Sequence, residues 1–444
     1  MCGAGSAGAQ EVSRGEAPTP DSVEDLDSAL QQTFEEEEIV YSRFPPLNRA
    51  IASLPPFLRD TDLRFKLRTY YWDHWRADET QGRAWAIGGA LDYRSGWLFD
   101  ALRIGATLYT SQPIIAPEDK GGTGLLREGQ QGYTVAGQGF LEMQYGEDHN
   151  LKLFRQIVDL PYVNKADVKM TPNTFEAYLV RGQVSDLRWL GEINYVAGWI
   201  GRIRKRDESQ FQSMSEAAGA ESRDAGAASA TLRIKPRENL SLGFTNHFVA
   251  DTFNTFYLEG SSFYTLRDDL GLRLDGQFTH QISTGDALSE AKEFETWNAA
   301  LRGAFSWKGA IFTLAGSLTG EDSALQKPWG LWPGYIGLML SDFDRPSESA
   351  LLLGVSYDFK NVGLPGFSAF TNYASGFDAE TVSSSSGERF SDQTEVDVTF
   401  DYVFPEGRLE GLWLRLRGAF RREDGAPRDE YQLRVILNYE LPIL

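Results

Sequence analysis

The strongest constraint on the fold is a strict two-residue alternation near the C-terminus. In residues 412–424 the even positions up to 420 hold three leucines, a glycine and a phenylalanine, and the odd positions include Trp413, Arg415, Arg417 and Arg421. A β-strand repeats every two residues, so this segment has one apolar face and one cationic face. A soluble sheet buries such an apolar face, whereas a membrane barrel points it at lipid, so this strand alone allows both folds.

The same period continues from residue 62 to the C-terminus. In the segment 62–68, DLRFKLR, basic residues alternate with apolar ones, and the segment 431–443 has an apolar residue at every second position. The pattern predicts 18 strands. No run approaches the roughly 18 consecutive apolar residues of a membrane helix, whereas barrel strands need only about 9 to 11 residues of alternating character.

The connections between these strands alternate in length. Short turns are predicted at 146–150, 236–239, 267–269, 308–310 and 361–366, and long loops at 110–134, 159–173, 204–227, 284–294, 320–347 and 376–392. This parity places the long loops at one end of an up-and-down meander, as in outer-membrane barrels with short periplasmic turns and longer outer loops. Soluble sandwiches mix hairpins with crossovers and have no reason to keep this parity.

Apolar rows on every strand would need a second layer of comparable size in water, and one helix cannot supply it. The rows at 351–359 and 396–404 end in aromatic residues beside the short turns, as an interfacial girdle requires. The sequence therefore predicts an all-β fold, a transmembrane antiparallel up-and-down β-barrel of about 18 strands over residues 62–444. We expect it to be integral to a bacterial outer membrane and to contact the lipid.

The region before residue 62 differs from the barrel. Residues 1–9 are small and resemble the end of a secretory signal, with Ala7 and Ala9 at the A-x-A positions, and a short disordered terminus is the alternative. Residues 10–61 are acidic, contain an amphipathic helical pattern and include two Pro pairs. We expect a periplasmic extension, with a plug inserted into the lumen as the alternative.

Composition and motifs bear on other functions. The formal net charge of −20 argues against nucleic-acid binding. Cys2 is the single cysteine and the four histidines show no ligand spacing, so we expect no metal and no cofactor. The G-x-G-x-x-G match at residues 3–8 follows no strand and no G-x-S-x-G elbow is present, so we expect no enzyme. A barrel hydrolase with Ser and His on an outer wall is the alternative class.

Four regions of the chain resemble the OprD-type outer-membrane porins of Gram-negative bacteria. They are LDYRSGW at 91–97, PNTFEAY at 172–178, DFDRPS at 342–347 with SYDFKNVGLP at 356–365, and LRVILNYELPIL at 433–444. The resemblance implies an 18-stranded barrel that passes small carboxylate-bearing nutrients. Barrels of this family often assemble as loosely associated homotrimers. The resemblance also implies a row of basic side chains facing a constriction built by inward-folded third and seventh outer loops.

The residues themselves also predict a basic ladder on the lumen wall. Six cations share the inward face of the first strand and the last two strands, which close against each other: Arg64, Lys66, Arg68, Arg415, Arg417 and Arg434. In a narrow tube of low dielectric such a field concentrates anions and offers a carboxylate successive weak exchange sites. Glu395, Asp397 and Asp401 point inward on the neighbouring strand, so a structural lattice of ion pairs is the alternative.

Two long loops are candidates for the constriction. The segment from Asp159 to Asn173 is bounded by prolines, and the segment from Gly320 to Ser347 is rich in aromatic residues, which usually fold back onto other surfaces. The predicted constriction residues are Asp159, Tyr162, Lys165, Asp167, Lys169, Tyr335, Asp342 and Asp344. Acids opposite the basic ladder would create a transverse field, whereas loops that face the bulk solvent would act as lids.

These patterns together predict passive, substrate-selective diffusion of small carboxylate solutes, such as amino acids and organic acids, through the lumen. A general, weakly selective porin is one alternative, and replacement of Arg415 and Arg417 distinguishes the two. A non-conducting barrel plugged by residues 10–60 is another, and deletion of that segment tests it.

Overall fold

The computed structural model describes residues 45–267, 269–380 and 391–444, and within them 18 antiparallel strands close into a barrel. The first nine are β1 (Asp62–Trp75), β2 (Gln81–Arg94), β3 (Leu102–Ile115), β4 (Tyr133–Tyr145), β5 (His149–Gln156), β6 (Thr174–Leu187), β7 (Gly191–Arg204), β8 (Ala227–Arg237) and β9 (Leu240–Val249). The other nine are β10 (Phe253–Arg267), β11 (Leu270–Ser283), β12 (Glu295–Trp307), β13 (Ala310–Thr319), β14 (Ser349–Asp358), β15 (Phe367–Phe377), β16 (Gln393–Val403), β17 (Trp413–Glu423) and β18 (Glu430–Pro442). Strand β1 pairs with both β2 and β18, so the sheet closes on itself, and the predicted fold class is confirmed.

Alternation along each strand separates an outer face from a lumen face. On β14 Leu353 is 58% exposed, whereas the adjacent Leu352 is 4% exposed. On β17 Leu416 is exposed and Arg415 is buried, as the two-residue period predicts. An outer belt of large apolar side chains on a closed barrel is the surface that hydrocarbon solvates.

The long connections lie at one end of the barrel. We name residues 157–173 loop L3 and residues 320–348 loop L7, and we call the opposite end the turn end. The turn after β2 is longer than the sequence pattern indicates, because Leu98 bridges to Leu102, and Phe99 and Asp100 between them have φ of 55° and 53°. The two-residue alternation alone predicts a tight turn at residues 95–96 and a strand from about residue 97, whereas strand β3 begins at Leu102.

Short helices accompany the barrel. They are α1 (Pro45–Ile51) and α2 (Pro56–Arg59) before β1, and α3 (Met214–Ala217) between β7 and β8. The Gly96 amide donates to the Phe57 carbonyl (3.0 Å), so α2 docks at the turn end, and a Cβ at Gly96 would lie 2.3 Å from the Pro56 carbonyl oxygen. None of the described helices has the length and apolar character needed to cross a membrane. The predicted signal remnant and the helical pattern before residue 45 lie outside the described residues.

Apolar side chains also pack inside the barrel. Among the described residues, one cluster joins Val163 of L3, Met214 of α3 and Trp329 of L7 to Phe253 on β10. Loops thus fill part of the lumen at the long-loop end, and their placement determines where a solute can pass.

Candidate functional site

The first half of L3 is a hairpin that reaches the wall formed by β9 and β11. Its two-residue strands lie within residues 159–164. At the tip, the Pro161 carbonyl accepts a hydrogen bond from His247 Nε2 on β9 (2.7 Å). The next residue, Tyr162, is buried, and its hydroxyl donates to Thr279 Oγ1 on β11 (2.7 Å). The tip is therefore anchored to this wall.

The second half of L3 lies against β1. The Tyr70 hydroxyl donates to the Val168 carbonyl (3.3 Å), and Arg68 Nη1 donates to Asp167 Oδ1 (2.6 Å). Because β1 is about half the circumference away from β9 and β11, L3 spans the lumen from wall to wall. Burial opposes ionisation of Asp167, but the charge and hydrogen bonds of Arg68 outweigh burial and hold the pKa of this carboxyl below its usual 3.8.

Two lysines of L3 brace the loop. Lys169 Nζ lies 2.9 Å from the centre of the Trp72 ring and donates to the Thr123 carbonyl (2.7 Å). Lys165 and Asp159 form an ion pair of 2.9 Å across the base of the hairpin. Lys169 therefore binds groups outside L3, whereas Lys165 and Asp159 pair within the loop and shape it.

Loop L7 carries the aromatic residues expected to fold inward, and they do so. The Trp329 ring stacks on Phe253 with centroids 4.8 Å apart, and its Nε1 donates to the Met214 carbonyl (2.7 Å). The guanidinium of Arg302 on β12 lies 4.4 Å from the centre of the Tyr335 ring. Burial raises the pKa of Tyr335, so its hydroxyl stays neutral.

One side chain joins the two loops. Asn164 of L3 donates from Nδ2 to the Leu331 carbonyl of L7 (2.7 Å) and accepts at Oδ1 from the Leu331 amide (2.9 Å). The loops approach closely here, since a Cβ at Gly330 would lie 2.6 Å from Asn164 Oδ1. L3 and L7 therefore form one continuous constriction.

The tip of L7 docks on the inward acids of β16. The Met339 amide donates to Asp397 Oδ2 (3.0 Å), and the Leu340 amide donates to Glu395 Oε1 (2.8 Å). The Met339 carbonyl accepts a hydrogen bond from Arg434 Nη2 (3.2 Å). Two of the acids expected to cancel the basic ladder therefore hold L7 through its backbone.

The two acids predicted in L7, Asp342 and Asp344, both pair with a lysine of the same loop. Lys327 Nζ lies 2.8 Å from Asp342 Oδ2 and 2.5 Å from Asp344 Oδ2. Burial disfavours the ammonium form of Lys327, but the charges of Asp344 and Asp342 outweigh it and raise the pKa of this lysine. Burial raises the pKa of Asp344. Compensation by Lys327 weakens any transverse field from these acids.

The centre of the basic ladder is a pair of arginines in direct cross-strand register. Arg417 on β17 faces Arg434 on β18. Arg417 Nε donates to Thr399 Oγ1 (3.1 Å), and Arg434 Nε donates to Gln432 Oε1 (2.5 Å) while its guanidinium lies 4.2 Å from the centre of the Trp72 ring. Like charges directly opposite each other on a sheet are unfavourable, and an anion between them relieves the repulsion.

Four other ladder residues form ion pairs with carboxylates. They are Arg415 with Asp401 at 2.7 Å, Arg64 with Asp62 at 2.7 Å, Lys66 with Asp92 at 3.0 Å, and Arg68 with Asp167 at 2.6 Å. The pairing of Arg415 with Asp401 is bidentate, with a second bond of 3.0 Å from Nη2 to Oδ2. Ion pairs therefore surround the central arginine pair. Asp401 is one of the acids predicted to form them, whereas Asp62, Asp92 and Asp167 were not predicted.

A further group of charged residues lies on the wall opposite the basic ladder and was not predicted from the sequence. Arg233 Nη2 contacts Glu259 Oε1 (2.9 Å), and Asp275 contacts both Arg273 (2.7 Å) and Arg302 (2.9 Å). The available signal is the spacing of Arg273 and Asp275, which are two residues apart on an alternating strand and therefore share the inward face.

A serine and a histidine also lie together in the lumen wall. Ser229 Oγ is 2.9 Å from His247 Nδ1, while His247 Nε2 bonds to the Pro161 carbonyl. Both side chains are buried beneath L3, so this pair anchors the loop and offers no open position for a substrate. In the described ranges, no group of three or more His, Cys, Asp and Glu side chains could hold a metal ion.

Comparisons with known proteins agree with this architecture. The family model described as outer membrane porin, OprD family, matches residues 55–443. Similar solved structures include Pseudomonas aeruginosa OpdK with vanillate (21% identity, TM-score 0.76), P. aeruginosa OccK9, also called OpdG (22%, 0.76), and a BenF-like porin from Pseudomonas fluorescens (18%, 0.75). Each alignment covers 87% of this chain and 100% of the other. No sequence among the curated proteins matches.

Proposed function

The chain belongs to the OprD family of outer-membrane porins, and we propose that it passes small carboxylate-containing solutes by passive diffusion. As in other outer-membrane barrels, the long-loop end then faces the exterior and the turn end faces the periplasm. A solute enters from the long-loop end, passes the constriction of L3 and L7, and leaves along the basic ladder.

The observation that carries this proposal is the Arg417 and Arg434 pair beside the tip of L7. The two guanidinium groups are cross-strand neighbours, and the Met339 carbonyl of L7 accepts from Arg434. A carboxylate suits such a position because guanidinium forks bind its two oxygens in one plane. Repulsion between the arginines weakens each site, and so does competition from the neutral acceptors Thr399 and Gln432, so that each site can release the solute.

The solute class includes aromatic carboxylates. The solved OpdK structure contains vanillate, an aromatic monocarboxylate. We therefore propose testing vanillate and benzoate together with amino acids and aliphatic acids on this chain.

The test compares two double variants in planar bilayers. We expect Arg417→Gln with Arg434→Gln to reduce the permeability of benzoate relative to potassium by about tenfold, as loss of a charge-assisted contact to a carboxylate predicts. The control, Arg415→Gln with Asp401→Asn, removes a paired arginine without a change in net charge and leaves this ratio within about twofold. Equal ratios in the parent and the Arg417 and Arg434 variant would refute the proposal.

A weakly selective porin is the second candidate, and the ion pairs of the outer ladder favour it. Carboxylates partner Arg64, Lys66, Arg68 and Arg415, which lowers the net field of the wall. This candidate predicts similar permeabilities for benzoate and for benzyl alcohol in the parent protein. Assembly as a homotrimer stays a prediction, which the mass of the purified protein in mild detergent tests.

A further inference from the structure

A second group of cations faces the lumen near the periplasmic ends of β3–β6, on a different arc of the wall from the Arg417 and Arg434 pair. It consists of Arg103, Lys152 and Arg181 around the carboxylate of Glu142. The strand register brings them together, because Arg103 is opposite Glu142, and Glu142 is in turn opposite Lys152. Glu142 is buried, and Lys152 shares a register position with the buried Leu179, so this face is the inward one.

The local charge balance is strongly positive. Arg103 Nε donates to Glu142 Oε2 (2.8 Å), and Lys152 Nζ lies 3.8 Å from the centre of the Phe140 ring. The charges of Arg94, Arg103 and Arg181 all act on Lys152, with Glu142 as the compensating acid. Two acids on nearby strands have their own partners, since Asp92 pairs with Lys66 (3.0 Å) and Glu192 accepts from Asn194 (2.6 Å).

Two polar atoms beside this group are buried and lack a hydrogen-bond partner within the part of the chain that the structure describes. They are Arg181 Nε and Asn150 Oδ1, and the two residues are direct cross-strand partners of β5 and β6. Buried polar atoms in folded proteins are nearly always satisfied, by water or ligand where the chain supplies no partner. These two atoms therefore offer one donor and one acceptor to a water molecule or to a polar solute.

We propose that Arg103, Lys152 and Arg181 form an anion site at the periplasmic end of the lumen that prefers small dicarboxylates to monocarboxylates. Within this group of described residues, three cations and the carboxylate of Glu142 leave a formal charge of +2, which two further carboxylate groups balance. Adjacent strands are about 4.8 Å apart, a separation that the two carboxylates of succinate span. The site deepens the proposed function by naming a solute class, but a solute added from the periplasmic side reaches it without crossing the constriction.

The experiment measures block of the chloride current by succinate added to the periplasmic side of a planar bilayer, with acetate as the monocarboxylate probe. We expect Lys152→Met and Arg181→Gln each to weaken the block by succinate by about tenfold, as loss of a charge-assisted contact predicts. Lys152→Arg retains the charge and retains the block. The control is Lys308→Met, which removes a lysine beside Trp307 in a periplasmic turn outside the lumen and leaves the block unchanged.

The readouts separate this site from the basic ladder. Parent-like chloride conductance in each variant shows that the barrel is folded. Unchanged block in Lys152→Met, or equal block by acetate and succinate in the parent, overturns the site. If the Arg417 and Arg434 variant keeps its benzoate permeability while Lys152→Met loses the succinate block, this site stands and the proposed function falls. The reverse pattern removes this site and leaves the proposed function intact.

Discussion

The side chain of Asn164 hydrogen-bonds L3 to L7, so Asn164→Ala should loosen the constriction. The substitution removes two hydrogen bonds to the Leu331 backbone, of 2.7 and 2.9 Å. Each such bond contributes about 0.5–1.5 kcal/mol net, so the two together contribute about 1–3 kcal/mol. That range corresponds to a change of about 5- to 150-fold in the ratio of docked to undocked loops.

The assay is single-channel recording at fixed voltage. We expect Asn164→Ala to visit high-conductance levels more often than the parent by a factor within that range. Asn164→Asp keeps the acceptor for the Leu331 amide but loses the donor to the Leu331 carbonyl, so its effect should be intermediate. Asn239→Ala is the control, because it removes an asparagine that bonds the Phe263 carbonyl (3.3 Å) at the periplasmic end.

A specific result would refute this reasoning. If Asn164→Ala and the parent show the same distribution of conductance levels and dwell times, the two loops are not coupled through Asn164. If Asn239→Ala changes the distribution as much as Asn164→Ala does, the effect is not specific to the constriction.

Three other predictions concern the lipid face, the ladder and pH. Leu353→Arg should destabilise the barrel by about 2–4 kcal/mol in lipid, measured by urea titration of the folded fraction, whereas Val362→Arg in an exposed turn should cost little. Asp401→Asn removes the carboxylate partner of Arg415, so the chloride-to-potassium permeability ratio from reversal potentials should rise, with Asp60→Asn outside the barrel strands as control. Burial opposes ionisation of Asp167, but Arg68 outweighs burial and holds the pKa of this carboxyl below 3.8. The stability contributed by the contact between Asp167 and Arg68 is therefore present above pH 3.8 and is lost as the pH falls through the folded-state pKa. Current noise from L3 should accordingly rise only below pH 3.8.

The faces of the strands were predictable because side-chain direction has a period of two. Arg415, Arg417 and Arg434 were placed on one inward face from spacing alone, and the register of β17 and β18 brings Arg417 opposite Arg434. The start of β3 was not predictable in the same way. Its preceding turn depends on positive φ at Phe99 and Asp100, which are residues without a strong preference for that conformation.

The partners of the inward acids could not be derived from spacing. Glu395 and Asp397 were expected beside the ladder arginines, but the structure gives them the backbone amides of Leu340 and Met339. These contacts join residues more than fifty positions apart through a loop of irregular backbone, and no periodic pattern encodes such a path. Asp167 likewise meets Arg68 only because L3 crosses the lumen.

The crossing of L3 gives the barrel an internal cross-brace. Hydrogen bonds hold the loop to β1 through Tyr70 and to β9 through His247, on opposite walls. Widening the cross-section along that diameter must stretch these bonds, whereas widening at right angles does not. Lateral pressure from the surrounding bilayer, which acts on the outer wall, is therefore transmitted directly to the constriction along one axis.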